Sequence, residues 1–256
     1  MKRSRLVESV IAVSTFGLLA LIFVQFAPIR GATVGAADII THHTTPFLEE
    51  RPNFTSSENS LQTDQTDGIA LAAAFWEDLR KGDLKLWDSD LGTGAPLGGA
   101  IYTRVWSPFY WIGLVVPGRV LSSFAVWLTL WCAQLGAWAL ARYIGLGQIG
   151  ALFAGVAFGF SGPSTALLLR INEIALAPWV FLGVHACVDR SRMKPIVAVA
   201  GLAIAVGAMW LGGFPAGSIF TPYGAGTVAV CLAVIKEGWS PRALARRLVL
   251  PLAGVV

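Results

Sequence analysis

Long apolar runs alternate with short polar breaks along this chain, and one polar stretch is far longer than the others. Apolar runs cover roughly 10–29, 121–140, 149–169, 174–188, 195–211 and 217–235, and a last one starts at Leu248. A helix of about 20 residues spans the hydrocarbon core of a bilayer, and lipid forces its backbone groups to satisfy one another. The pattern predicts an all-α fold, a polytopic transmembrane helix bundle. Its units are a first transmembrane helix over 1–29, an extracytoplasmic loop over 30–105, and a transmembrane helical region over 106–256. The strict apolar–polar alternation of a membrane-spanning barrel is not seen. The piece at 106–117 is too short to cross, since about 12 helical residues reach only about 18 Å against roughly 30 Å of hydrocarbon. Its Trp106, Phe109, Tyr110 and Trp111 suit an interface. It is expected to be re-entrant or interfacial. The chain stops at Val256, a few residues into the last run, which reads as a fragment of something longer.

The polar stretch 36–99 divides in two. Through Ser60 it is rich in Thr, Ser, Asn, Glu and Pro and reads as irregular. Beyond it, Ile69, Ala72, Ala73, Trp76 and Leu79 recur at helical spacing. An amphipathic helix over 69–81 is expected, lying on the membrane surface or on other helices, with Asp67 as its cap and Gly82 as its end. The glycines and proline of 92–99 make a turn-rich stretch. No Gly-Lys-Ser/Thr follows, which excludes a phosphate loop of the Walker type.

Composition sharpens this picture. Hydrophobic residues make up 55% of the chain and charged residues 13%, about half the charged share of a soluble domain. The formal net charge of +4 does not argue for nucleic acid, because the basic residues cluster between apolar runs. Basic loops mark the cytoplasmic side. If 106–117 does not cross, Arg142, the Arg190–Arg192–Lys194 loop and the Lys236–Arg242–Arg246–Arg247 loop all share a side with Lys2, Arg3 and Arg5. The long acidic loop, 170–173 and 212–215 then share the other side. The three cysteines, Cys132, Cys187 and Cys231, lie inside apolar runs without disulfide or zinc spacing and read as buried small residues.

Candidate chemistry follows from sidedness. Asp64 and Asp67 flank the amphipathic helix, and a carboxylate at a membrane surface can deprotonate a hydroxyl. A cap for Asp67 and a solvated loop residue for Asp64 are the plainer alternatives. Arg170, Asn172 and Glu173 sit where a span ends, a place where ionisable groups are functional candidates. Arg104 and Arg170 can each hold a phosphate by charge-assisted bonds or anchor the interface by snorkelling. His42 and His43 with Asp38 lack a third ligand at metal spacing, so no metal site and no cofactor are expected, although the sequence leaves room for a divalent ion.

Several short pieces also match a known family in order: 38–47, Asn59 followed by Asp64, 80–88, 92–96, 107–110, 158–162, Asn172 with 177–179, and 212–215. On these the chain resembles the N-terminal part of a YfhO-like bacterial membrane protein, within the GT-C class of glycosyltransferases. The resemblance implies a multi-pass enzyme of the cytoplasmic membrane with a polyprenyl-phosphate sugar as donor. It implies transfer on the outer face to a cell-envelope glycan or lipid, with inversion. The family pattern puts the essential acid at Asp64, with Asp67 close behind. The aromatic-rich motif expected after it is replaced by Ala72–Trp76, which leaves the choice open. Arg104, Arg170 and Asn172 would bind substrate and its phosphate. A flippase or transporter of lipid-linked sugars and a catalytically inactive structural subunit are the rivals. A transporter usually binds near the midplane on broken helices, whereas the polar groups here collect at one face.

Overall fold

The computed structural model describes residues 2–35, 63–89, 94–99, 103–166 and 172–255. Among the described residues three helices are long and apolar enough to cross a membrane: the first helix over Leu6–Phe23, then Gly118–Ile144 and Pro215–Glu237. In chain order the helices are α1 (Lys2–Phe23), α2 (Ala27–Arg30), α3 (Thr63–Arg80), α4 (Gly118–Ile144), α5 (Gln148–Gly159), α6 (Gly162–Ala166), α7 (Asn172–Asp189), α8 (Pro195–Trp210), α9 (Pro215–Glu237) and α10 (Pro241–Ala253). A 3₁₀ helix occupies Pro108–Leu114. The expected all-α fold needs one small amendment. Residues Trp87–Asp88 (β1) and Ala95–Pro96 (β2) form a short antiparallel ladder, with Trp87 opposite Pro96.

Helix starts and stops follow local chemistry. Proline sits at the first turn of α8, α9 and α10, where its missing N–H costs nothing. Gly145 closes α4 in the left-handed region at φ 111°, and its N–H reaches the Ala141 carbonyl. Four expectations are corrected. The run 149–169 is not one helix: α5 stops at Gly159, and α6 restarts at Gly162 with Pro163 in its first turn. Proline there cannot donate to a continuing ladder. The amphipathic helix begins at Thr63, not Ile69, so Asp67 is inside its second turn and cannot be its cap. The helix expected from Leu248 starts at Pro241 and includes Arg242, Arg246 and Arg247. Cys231 is exposed rather than buried.

Helices α4 and α7 form the centre of the bundle. The first helix, α1, lies on α4 through two indole hydrogen bonds, from Trp127 Nε1 to the Gly17 carbonyl (3.0 Å) and from Trp131 Nε1 to the Val13 carbonyl (2.9 Å). Gly136 lets Trp179 of α7 approach α4, since a Cβ there would stand 2.6 Å from the indole nitrogen. Gly155 and Gly159 of α5 do the same for Phe16 and Gln134. Outward faces remain apolar: Ile149, Phe153, Ile196, Ile204, Phe220 and Ile235 are each more than 70% exposed. Apolar exposure on this scale marks a surface that meets lipid or partner protein rather than water.

Charges collect at one end of the bundle. Glu8 pairs with Arg142 at 2.6 Å, Asp189 with Lys236 at 2.5 Å, and Glu237 with Arg247 at 2.5 Å. Arg190 donates to the Arg246 carbonyl at 2.6 Å. The other end of α7 lies about 26 Å away, at a rise of about 1.5 Å per helical residue.

Candidate functional site

At the far end of α7 two loops face each other across a cleft of about 280 Å³. One wall is built from Gly98, Gly99 and the segment Arg104–Trp106, and the other from Trp210, Leu211 and the turn Gly213–Pro215. The first wall is tied down by short-range bonds. Thr103 Oγ1 donates to the Leu97 carbonyl (3.0 Å), Trp106 Nε1 to the Gly98 carbonyl (2.6 Å), and the Ser107 amide to the Arg104 carbonyl (2.9 Å). Helix α3 supports this wall from behind, with Phe75 edge-on to Trp106 at 5.7 Å between ring centres. Glu77 of α3 accepts from the Gly118 amide at 3.2 Å, which places a carboxylate at the positive end of α4.

Arg104 is the unusual residue of this wall. It is 6% exposed, and its backbone sits in the left-handed region at φ 52°. A non-glycine residue there costs about 1–2 kcal/mol. Among the described residues its guanidinium makes no hydrogen bond or ion pair, yet it lines the cleft. A guanidinium with no protein partner among the described residues, beside a cleft, can take an anion by charge-assisted hydrogen bonds.

The second wall hangs on Glu173, in the first turn of α7 and just ahead of the apolar run 174–188. Its side chain is fully buried. Oε1 accepts the Phe214 amide at 2.6 Å, which pins the turn between α8 and α9. Oε2 has no partner among the described residues. Two glycines make the space: a Cβ on Gly212 would stand 2.5 Å from Oε1, and one on Gly217 would stand 2.7 Å from the Glu173 Cβ. Gly213 turns the chain at φ 92°, and Ser218 Oγ donates to the Met209 carbonyl at 2.8 Å. Burial pushes the Glu173 carboxyl up to about 7; its own backbone amide, the Phe214 amide and the charge of Arg104 pull it partly back. A carboxyl in that range is both a competent proton carrier and a variable charge near neutral pH.

The sequence-derived candidates divide between this cleft and other places. Arg104 lines it. Asn172 does not: it is buried against α4, where its Oδ1 lies 2.9 Å from Thr129 Oγ1. That hydroxyl also donates to the Ala125 carbonyl at 2.7 Å and has one proton to give. An amide turned so that Nδ2 donates to Thr129 satisfies both bonds. Asn172 therefore fastens α7 to α4, a structural duty next to the site. Asp64 and Asp67 lie in the first turns of α3, and their side chains lie outside the described residues. Along the helix axis Asp67 is about 12 Å and Asp64 about 16 Å from Phe75, counted by the rise per helical residue. Phe75 of α3 touches the cleft wall through Trp106. Arg170, His42, His43 and Asp38 also lie outside the described residues. Among those residues no three of His, Cys, Asp and Glu come together as metal ligands.

Glu173 was a candidate with Arg170 and Asn172 because it stands at a span end, but the sequence reading assigned it no specific role. Its signal was there: an acid at the edge of an apolar run, in a chain with a distant Gly-Gly-Phe-Pro turn able to receive it. The chain matches no protein-family model, no curated protein and no solved structure.

Proposed function

We propose that this chain is part of a membrane glycosyltransferase of GT-C type that moves a sugar from a polyprenyl-phosphate donor to a cell-envelope glycan or lipid. It would act on the outer face of the cytoplasmic membrane, with the loop over 30–105 extracytoplasmic. The observation that carries the reading is Arg104, a buried cation without an ion-pair partner among the described residues, facing a cleft whose rim is Trp106, Trp210 and Phe214. That combination suits a phosphate on an apolar chain: guanidinium for the charge, aromatic faces for the lipid and the sugar ring. The cleft lies at the bundle end opposite the basic cluster of Arg142, Arg190 and Arg247. The positive-inside tendency supports an extracytoplasmic cleft end.

In this mechanism the acceptor hydroxyl attacks the anomeric carbon. Asp64 or Asp67 takes its proton. The bond from that carbon to the phosphate oxygen breaks, polyprenyl phosphate leaves with the electron pair, and Arg104 stabilises its charge, with Arg170 as a second candidate. One attack at the face opposite the leaving group inverts the anomeric centre. The test is sugar transfer by the purified full-length protein and by Asp64→Asn, Asp67→Asn and Arg104→Ala. Loss of transfer in Arg104→Ala and in one aspartate variant is expected. Wild-type rates in both aspartate variants remove those residues from catalysis.

A second reading, a flippase or transporter of lipid-linked sugars, has its own observation. Gln134 in the middle of α4 is fully buried with neither amide atom partnered among the described residues, and it lies against Gly159, where α5 breaks off. Broken helices beside buried polar groups are how transporters build midplane sites. Movement of labelled donor across proteoliposomes without its consumption decides for that reading.

A further inference from the structure

Resting on the lipid-phosphate reading of the cleft, we infer that Glu173 is the counter-ion of Arg104, and that a bound phosphodiester and the ionised Glu173 carboxylate compete for the same guanidinium.

Arg104 faces the cleft with no ion-pair contact among the described residues, so its charge is available to a ligand. Glu173 is near enough for that charge to act on it, and no other charged group among the described residues does so. Around it, Asn172 of α7, Met209 of α8, Gly212 of the turn and Gly217 and Ser218 of α9 carry no charge. The carboxyl is also held in place. The Phe214 amide fixes Oε1, and Gly212 and Gly217 lie close enough to the side chain that a methyl on either would collide with it.

A phosphodiester in the cleft would put two anions around one buried cation. One negative charge is then in excess, and burial makes that costly. The Phe214 amide holds the carboxyl in place, so the relief is a proton. Oε2, which has no partner among the described residues, is free to carry it. Binding at neutral pH thus takes up a proton from solvent onto Glu173, and the ligand leaves more readily when that proton is lost. The near-neutral titration of Glu173 puts this exchange in an accessible range. The long helix α9 begins at the cleft wall, and the field of its N-terminal end favours an anion there.

The experiment uses the full-length protein in nanodiscs of neutral lipid with polyprenyl phosphoglucose, a diester whose own charge does not change over the range. The wild type should lose about tenfold in affinity between about pH 5.5 and about pH 8.5. Glu173→Gln keeps an acceptor for the Phe214 amide and removes the charge. It should bind as the wild type does at low pH and stay flat. Calorimetry of the wild type alone, in buffers of different ionisation enthalpy, should show uptake of up to one proton on binding at neutral pH. Binding that is flat with pH and free of proton uptake in the wild type overturns the counter-ion role and leaves the lipid-phosphate reading standing. No binding at any pH overturns both. A bulk phospholipid carries the same phosphodiester chemistry, so nanodiscs with phosphatidylglycerol form the second arm. Full competition by that lipid overturns the donor reading while the pH profile still tests Glu173.

Discussion

Glu173→Gln should also change the stability of the fold in a pH-dependent way, quite apart from any ligand. The Glu173 carboxyl is raised from an ordinary value of 4.5 to about 7 in the folded protein. A carboxyl raised in the folded state binds protons more tightly there than in the unfolded chain. Its stabilising protonated form is complete below the unfolded value, and stability falls as pH rises from 4.5 through about 7. Above that the ionised group is a constant burden. At about 1.36 kcal/mol for each pH unit between the two values, the burden is about 3 kcal/mol. Solvent does not diminish it, because the side chain is fully buried. For a chain of this size about 3 kcal/mol corresponds to roughly 6–12 °C in Tm. Gln has the same shape, accepts the Phe214 amide through its carbonyl oxygen, and does not titrate. The assay is thermal unfolding in one detergent at a series of pH values, reading the difference between wild type and variant. That difference cancels every other titrating group. It should be small at the acid end, open between the two values, and favour Gln by several degrees at the alkaline end. Parallel curves for the two proteins would refute the reasoning, because they would mean that Glu173 is paired or hydrated in the folded state.

The remaining predictions concern close approaches and strain. Gly212→Ala and Gly217→Ala should each destabilise by about 1–3 kcal/mol, because one new methyl crowds the Met209 carbonyl and displaces the Glu173 oxygen bonded to the Phe214 amide, and the other meets the Glu173 Cβ; unfolding midpoints will show it. Gly159→Ala should cost at least as much, with its Cβ pressed onto Gln134 Cγ; a neutral result would mean that α5 sits further from α4. Trp131→Phe removes the bond to the Val13 carbonyl and should loosen α1 by about 1 kcal/mol, read as faster proteolysis of the N-terminal helix. Arg104→Gly relieves the left-handed backbone and should gain about 1 kcal/mol in stability while binding of the phosphodiester is lost.

Much of the architecture was legible because long apolar runs leave the chain few options. The runs at 121–140, 174–188, 195–211 and 217–235 each contain the body of an observed helix, because continuous apolar stretches bounded by polar breaks mark those positions. The break at 160–161 was harder to see. Phe158, Phe160 and Ala166 keep the run apolar, and only Gly162-Pro163 marks the stop. The early start of α10 was hidden by charge. Arg242, Arg246 and Arg247 read as a loop, yet at helical spacing they form the polar side of an amphipathic helix. Arg104 was found from its place before an aromatic piece. Its left-handed backbone and its place across a cleft from the Phe214 turn arise only when segments far apart in the chain come together. Periodicity does not encode contacts of that kind.

The physical oddity of the cleft is that its second wall is held by an acid where an amide would do. A glutamine at 173 would accept the Phe214 amide and fit between Gly212 and Gly217. It would also avoid about 3 kcal/mol of buried charge above neutral pH. Packing therefore does not account for the choice, and neither does hydrogen bonding. Arg104 poses the same question on the opposite wall, since a glycine there would spare the backbone and a neutral side chain would spare the desolvation. Each residue alone is a cost. Together they are a cation and an acid near enough to sense each other and not in contact, on two sides of a space with aromatic edges. Features that a fold would be more stable without are kept where function needs them. A purely structural subunit would gain from the double variant Arg104→Gly with Glu173→Gln. An enzyme or transporter that grips phosphate should lose its activity in the same variant while its Tm rises. Unchanged transfer or transport by a stabilised double variant would remove this cleft from function.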